Sequence, residues 1–291
     1  MKALGIIVGL LLALALCYLF ALLPRRGERK LEALRKYRYA HRGLHNAKQG
    51  IPENSMLAFH YALAGGFGAE LDVHLTKDKR LAVIHDSDLK RLCGVEGKVE
   101  ELEWAELKEL RLQGTKERIP LLEEVLPLFE GKTPLIIELK VANGNYKELC
   151  HKVCQMLESY RGDFCMESFD PRAMWWLRRT EPFIIRGQLA ENFLKQSEVG
   201  GLSKPMRLML TSLVWNLAVR PDFIACAFAH RDILPVRICR KWLKAQEVSW
   251  TIRSKEEMAV AEQDGAMVIF EGFLPEIKRK KKPAAAESKS E

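Results

Sequence analysis

The sequence predicts an α/β fold, a (β/α)8 barrel preceded by one membrane-spanning helix, and three observations carry that expectation. From Tyr37 onward, short apolar β-branched runs alternate with helical patterns, and no repeat or long linker interrupts them. One of these runs follows its predecessor too closely to be a parallel neighbour, and removing it leaves the eight strands a closed barrel needs. Ahead of them, Ala3–Leu23 is an unbroken, uncharged and mostly aliphatic run. At about 1.5 Å per helical residue it spans a bilayer core of about 30 Å.

The strand runs are 37–41, 69–73, 81–85, 134–140, 163–168, 182–187, 222–227, 247–252 and 267–271. Helical patterns lie between most of them, including Ser55–Gly65, Trp104–Leu110, Leu121–Leu128, Tyr146–Ser159 and Lys255–Gln263. Only Leu75–Arg80 separates the second and third runs, whereas a parallel crossover needs about a dozen residues or more. The run 81–85 therefore folds back as a hairpin on 69–73. A doubly wound sheet is the rival architecture, but no glycine-rich phosphate loop follows the first strand.

These readings divide the chain into an anchor (1–24), a basic juxtamembrane segment (25–36), the barrel (37–277) and a basic tail (278–291) expected to be disordered. A cleaved signal peptide is disfavoured, because the apolar run is too long and ends Leu22-Leu23-Pro24 rather than in small residues. Arg25, Arg26, Arg29, Lys30, Arg35, Lys36 and Arg38 follow the run, while only Lys2 precedes it. The positive-inside rule then places a single-pass protein in the cell membrane with its barrel in the cytoplasm. The net charge of +8 is concentrated in these flanks and the tail. The barrel is near neutral, so the basic flanks suit an anionic membrane surface and no nucleic-acid partner is expected. Cysteines are scattered through apolar segments without a disulfide framework, and Cys150, His151 and Cys154 lack the second ligand pair a zinc site needs. Nothing in the sequence specifies an oligomeric state.

Chemistry concentrates at strand ends. Alternation places Glu70 and Asp72 on one face of their strand and Glu138 and Lys140 on one face of theirs. If those ends meet at one rim, three carboxylates converge, and a hard divalent cation, Mg²⁺ or Ca²⁺, relieves their repulsion. His41 and His85 each end a strand run, and imidazole accepts and donates protons near neutral pH. With Arg42 and Lys140 on the oxygens of a phosphate, the set reads as phosphoester hydrolysis with a histidine acid/base pair.

The ordered set His41-Arg42-Gly43, Pro52-Glu53-Asn54, Glu70-x-Asp72, Thr76-Lys77-Asp78, His85-Asp86, Ile119-Pro120-x-Leu122 and Glu138-x-Lys140 resembles the glycerophosphodiester phosphodiesterases. The resemblance is dense from Tyr39 to Lys140 and thinner through Ser168-Phe169-Asp170 and Ser249-Trp250-Thr251-Ile252. It implies a TIM barrel that uses a divalent metal to cut glycerophosphodiesters, or lysophospholipids, at the phosphate. It also implies His41 and His85 as acid and base, Glu70, Asp72 and Glu138 as metal ligands, Arg42 and Lys140 as phosphate contacts, and Glu53 as a supporting carboxylate. Two positions depart from the family pattern: Lys79 stands where glycine is usual, and Val268-Ile269-Phe270-Glu271-Gly272 replaces a Thr-Asp-x-Pro ending. Either Glu271 substitutes for that aspartate or the closing rim differs.

Two alternatives accompany the hydrolase reading. One is hydrolysis of membrane lysolipids of the lysophospholipase D type, and the other is a catalytically silent barrel that binds phospholipid headgroups. Met206–Val219, apolar on nearly every face, reads as a well-buried barrel helix or, alternatively, as an apolar lip at the active-site rim.

Overall fold

The computed structural model describes residues 1–25, 29–195 and 202–276. Its strands are β1 (Tyr39–Ala40), β2 (Gly68–Leu75), β3 (Leu81–Val83), β4 (Leu135–Leu139), β5 (Phe164–Ser168), β6 (Arg186–Ala190), β7 (Phe223–Ala227), β8 (Gln246–Ile252) and β9 (Met267–Phe270). They run in the order β1-β9-β8-β7-β6-β5-β4-β2-β3, and a further pairing of β1 with β2 closes eight parallel strands into a (β/α)8 barrel. β3 stands outside the ring, antiparallel to β2, with Val73 opposite Val83 and Leu75 opposite Leu81. This is the hairpin excursion the short 75–80 link requires.

Inward side chains of Tyr39, Ile136, Cys165, Leu189, Phe223, Val248 and Ile269 pack into one cluster that fills the barrel. A larger cluster, with Phe59, Leu71, Phe129, Leu139, Val153, Met174 and Met258, seals the strands against the surrounding helices. Close approach dictates two glycines. A Cβ on Gly68 would lie 2.7 Å from the Tyr39 ring, and one on Gly187 would lie 2.0 Å from the ring of Phe223. The helix Met56–Ala64 starts on the Ser55 side chain, which accepts from the Ala58 amide, and Lys255–Gln263 starts in the same way on Ser254.

Two expectations need correction. The sixth strand is β6, Arg186–Ala190, rather than 182–187. Its polar residues hide it: the Arg186 guanidinium is buried because it donates to the carbonyls of Val219 and Arg220, and Gln188 donates to that of Ser168. The segment Met206–Val219 is not a fully buried barrel helix. It forms two short helices, Lys204–Thr211 and Asn216–Val219, with Leu208 57% and Leu217 47% exposed. Part of its apolar surface instead meets the N-terminal helix, Lys2–Leu22. The Tyr18 hydroxyl donates to the Ser212 carbonyl, Arg220 lies over the Phe20 ring, and Leu22 is buried with Leu213 and Cys239. None of the described residues of this segment lines the mouth that holds the acidic cluster.

The helix Lys2–Leu22 is long and apolar enough to cross a membrane, and residues 1–17 stand exposed, clear of the barrel. A short helix, Arg29–Leu34, follows within the basic segment. The tail at 278–291 lies outside the described residues.

Candidate active site

Alternation along β2 and β4 turns Glu70, Asp72 and Glu138 into the barrel, where one carboxylate oxygen of each lies within 4.8 Å of the others. All three are buried. Burial, then repulsion from Asp72, pushes the Glu70 carboxyl well above its ordinary range. Burial likewise raises Glu138, although Lys140 opposes it. Asp72 goes the other way, because Lys140, His85, Arg42 and a hydrogen bond from Asn54 outweigh its burial. Three crowded, dry, oxygen-only donors fit a hard divalent cation, whose charge would remove the repulsion.

His41 leaves β1 directly into the mouth. Its Nδ1 is 2.5 Å from Glu271 Oε2, and its Nε2 is 3.9 Å from Glu70 Oε2. A carboxylate partner makes Nδ1 the protonated nitrogen and leaves Nε2 for the mouth. Arg253 holds the other Glu271 oxygen at 2.7 and 3.0 Å. Burial lowers the His41 pKa against the counteracting contact from Glu271. Those contacts keep Glu271 far below the ordinary carboxylate range despite its own burial.

His85, in the loop after β3, is built in the same way. Its Nδ1 is 2.6 Å from Asp86 Oδ1, and Arg91 grips the other Asp86 oxygen. Arg91 also donates to both Glu53 oxygens, at 2.9 and 2.8 Å, and Glu53 in turn accepts from Arg42 Nη1 at 2.6 Å. Burial alone would raise Glu53, but the two guanidinium groups bring it down to about 2. Glu53 thus joins Arg42 to the support of His85. Behind the loop, the buried His74 has Nδ1 at 2.5 Å from Glu100 and Nε2 at 3.0 Å from the His85 carbonyl oxygen.

Arg42 has φ 54° and Gly43 φ 78°, and a Cβ on Gly43 would collide with Ala58 at 2.8 Å. The turn therefore needs glycine, and it directs the Arg42 amide to Glu70 Oε2 at 3.0 Å. The Arg42 Nε is buried without a hydrogen-bond partner. Lys140 Nζ lies 3.0 Å from Asp72 and 2.8 Å from Glu138, astride two of the three clustered carboxylates.

Every residue assigned from sequence therefore surrounds one mouth or supports it. Sequence reasoning left Glu271 open and missed Arg91, Asn54 as the clamp on Asp72, His74 and Glu167. Glu167 had the same mark as Glu138, a lone acid in an apolar strand. Arg91 had none, because its partners are brought together only by the fold. A cavity of about 180 Å³ is lined by His41, Glu70, His85, Glu138, Glu167 and Trp250, among others. It brings two imidazoles beside oxygen donors that could hold a cation.

Comparison with known proteins identifies the family. The sequence model of the Glycerophosphoryl diester phosphodiesterase family matches residues 41–258. A glycerophosphodiester phosphodiesterase of Caldanaerobacter subterraneus is 31% identical over 75% of this chain and 86% of its own length. One of Bacillus altitudinis is 39% identical over 42% of this chain, and the match spans about half of that relative, 53%. The Rattus norvegicus lysophospholipase D is 35% identical over 46% of this chain and 45% of its own. Among solved structures, a glycerophosphoryl diester phosphodiesterase of Silicibacter pomeroyi shares the fold with a TM-score of 0.66 at 23% identity, covering 85% of this chain and 95% of that one. A phosphodiesterase of Oleispira antarctica, solved with the product sn-glycerol-3-phosphate, gives 0.63 at 22% identity over 81% and 92%. With the model matching most of its length and the acidic mouth at the expected strand ends, this chain belongs to the glycerophosphoryl diester phosphodiesterase family.

Proposed function

We propose that this protein hydrolyses glycerophosphodiesters to glycerol 3-phosphate and an alcohol, with His41 and His85 as the acid/base pair. The observation that carries this reading is the paired construction of the mouth. Two imidazoles, each held at Nδ1 by its own carboxylate, stand beside the Glu70, Asp72 and Glu138 cluster. In the reaction, a P–O bond to water forms as the P–O bond to the alcohol breaks. One imidazole takes the water proton at Nε2, and the other delivers a proton to the departing oxygen. Glu271 and Asp86 keep both rings in the required tautomer. Arg42, whose buried Nε pairs with Asp72 at 3.6 Å without forming a hydrogen bond, and Lys140 would hold phosphate oxygens and stabilise charge developing on them. Glu70, Asp72 and Glu138 would hold Mg²⁺ or Ca²⁺, which supplies charge neutralisation at a phosphate oxygen.

A second reading, hydrolysis of membrane lysolipids, is favoured by the similarity to the rat lysophospholipase D and by the apolar N-terminal helix. We read that helix as a retained single-pass anchor with the barrel on the cytoplasmic side. The deciding experiment incubates the full chain in detergent with glycerophosphocholine or lysophosphatidylcholine, with Mg²⁺, Ca²⁺ or chelator. Metal-dependent release of glycerol 3-phosphate supports the first reading, and preferential turnover of the lysolipid supports the second. Activity indifferent to chelator refutes the metal assignment. Headgroup binding with no turnover would favour the catalytically silent barrel.

A further inference from the structure

The N-terminal helix is docked on the flank of the barrel in a defined direction. Tyr18 donates to the carbonyl of Ser212, Arg220 donates to those of Phe20 and Leu23, and the Arg25 amide donates to that of Pro221. Successive residues of the helix thus meet successive residues of 212–221, the segment that leads to the start of β7 at Phe223. The helix therefore runs from the mouth end of the barrel toward the floor, where the strands begin, and against the strand direction. From Tyr18 to Leu22 it covers about 6 Å, and the link to Arg25 adds up to about 10 Å. β7 itself rises about 13 Å. Tyr18 accordingly stands near the level at which the strands end, and residues 1–17, all exposed, project past it. The rim on this side is apolar. Leu194 in the connection after β6, Leu208 in the helix Lys204–Thr211 and Leu234 after β7 are 53%, 57% and 55% exposed. Segments that follow barrel strands stand at the mouth end. Lys195 and Lys204, exposed as well, lie close to them in the chain. Beside Leu194, the buried Phe193 packs edge-on against Phe169 and Phe169 against Trp250, and the last two line the mouth.

We propose that the mouth end of the barrel, and not its floor, lies against the bilayer, with Leu194, Leu208 and Leu234 seated in the headgroup–acyl boundary beside the emerging helix. Continuity fixes lipid as the occupant of this rim, because the helix beside it is itself long and apolar enough to cross a membrane. Leucines with lysines among them suit a boundary where acyl chains meet anionic headgroups. Lengths agree too. Residues 1–17 cover about 25 Å of a bilayer core of about 30 Å, and a rim sunk about 5 Å supplies the remainder. A diester carried by a lipid of the facing leaflet then reaches the carboxylate cluster without leaving the membrane. The exposed Arg35 and Lys244, which line a cavity of about 410 Å³ at the floor, face water. This rests on the reading of the helix as a retained anchor and gives the lysolipid reading its geometry.

The test reconstitutes the full chain in vesicles of phosphatidylcholine with about one-fifth phosphatidylglycerol. Cys17 and Cys93, the two cysteines that are not buried, are replaced by Ser. Nitroxide labels are then attached at Leu208→Cys or Leu234→Cys on the rim and at Lys132→Cys or Lys241→Cys on the floor. Molecular oxygen, which dissolves in lipid, should relax the rim labels more than a water-soluble nickel chelate does, and the floor labels less. Rim labels as open to nickel as the floor labels overturn the proposal, and so do floor labels that sit in lipid. In a second measurement, Leu208→Asp and Leu234→Asp should each lower kcat/KM on vesicle-borne lysophosphatidylcholine about fivefold or more, with soluble glycerophosphocholine within about twofold of wild type. Equal effects on the two substrates, or none on either, overturn the rim as the surface that meets lipid. The label depths are read without turnover. If they follow the expected pattern in a protein that hydrolyses neither substrate, the proposal stands and the phosphodiesterase reading alone fails. Release of the protein from the vesicles by alkaline carbonate refutes the anchor and the proposal with it, and leaves the phosphodiesterase reading intact.

Discussion

Replacing Glu271 by Gln tests whether the carboxylate–imidazole pairing at His41 serves catalysis. Glu271 Oε2 lies 2.5 Å from His41 Nδ1 and is fixed on its other side by Arg253, so it determines both the ring's orientation and its tautomer. Glutamine fills the same space but presents an amide donor or acceptor in either flip, so it no longer forces Nδ1 to carry the proton. It also removes the contact that opposes the burial-driven fall in the His41 pKa, so the imidazolium becomes harder to form. Positioned proton transfer contributes about 10²–10⁴-fold, and the equivalent carboxylate-to-amide change in a serine-protease triad costs about 10⁴ in kcat. We expect a loss in kcat of about 10²–10³, with KM changed by less than about threefold, because Glu271 orients the ring rather than touching substrate. Steady-state kinetics on glycerophosphocholine measures both parameters. Glu271→Asp should retain more activity than Glu271→Gln, because it restores the charge at a slightly longer reach. A Gln variant within about threefold of wild-type kcat would refute the pairing argument, and so would an Asp variant no better than Gln.

Three further outcomes follow from the same geometry. Glu53 is held at about 2 against an ordinary 4.5, a difference worth roughly 3 kcal/mol of folding stability. Because the folded value is the lower one, that contribution is present above about pH 4.5 and is lost as pH falls toward 2. Urea unfolding of Glu53→Gln should therefore show lower stability at neutral pH and a shallower acid limb, and a parallel acid limb contradicts the network. Glu138→Gln leaves two carboxylates in the cluster, so calorimetry should find metal affinity reduced at least tenfold while circular dichroism is unchanged. An unchanged affinity places the ion elsewhere. Gly187→Ala puts a Cβ about 2.0 Å from the Phe223 ring in the filled barrel. Overpacking of this kind costs about 1–3 kcal/mol, and a fall in Tm of several degrees should appear by calorimetry.

Most of the architecture could be read from pattern, because alternation and spacing are local properties. The β3 hairpin followed from the shortness of 75–80 alone, and the eight-strand count followed from it. β6 slipped by several residues because Arg186 and Gln188 look like loop residues until their carbonyl partners are known, and these come from beyond the strand. The apolar excess of 206–219 was visible, but the sequence could not show that the N-terminal helix would cover part of it. In the site, residues on strands were found because i and i+2 share a face. Residues acting through support, such as Arg91 between Asp86 and Glu53, were not, since their contacts cross 38 residues or depend on loop conformation.

The buried acids explain why the site was the most readable part of the chain. Glu70, Asp72, Glu138 and Glu167 all occupy strand positions that local propensity and patterning assign to apolar residues. Placed there, Glu70 and Glu167 are held well above the ordinary carboxylate range by burial and by one another's neighbours. Lys140, and Arg42 at the rim, bring compensating charge into contact with the cluster. A barrel selected for stability alone would carry apolar residues at these positions, as it does one step below at Ile136 and Cys165. The four acids cluster at the C-terminal ends of their strands, and below them the barrel interior is packed by Tyr39, Ile136, Cys165 and Phe223. That arrangement lets the strands hold four carboxylates at fixed separation without a flexible loop, and a cation bound there would resolve the conflict where it was built.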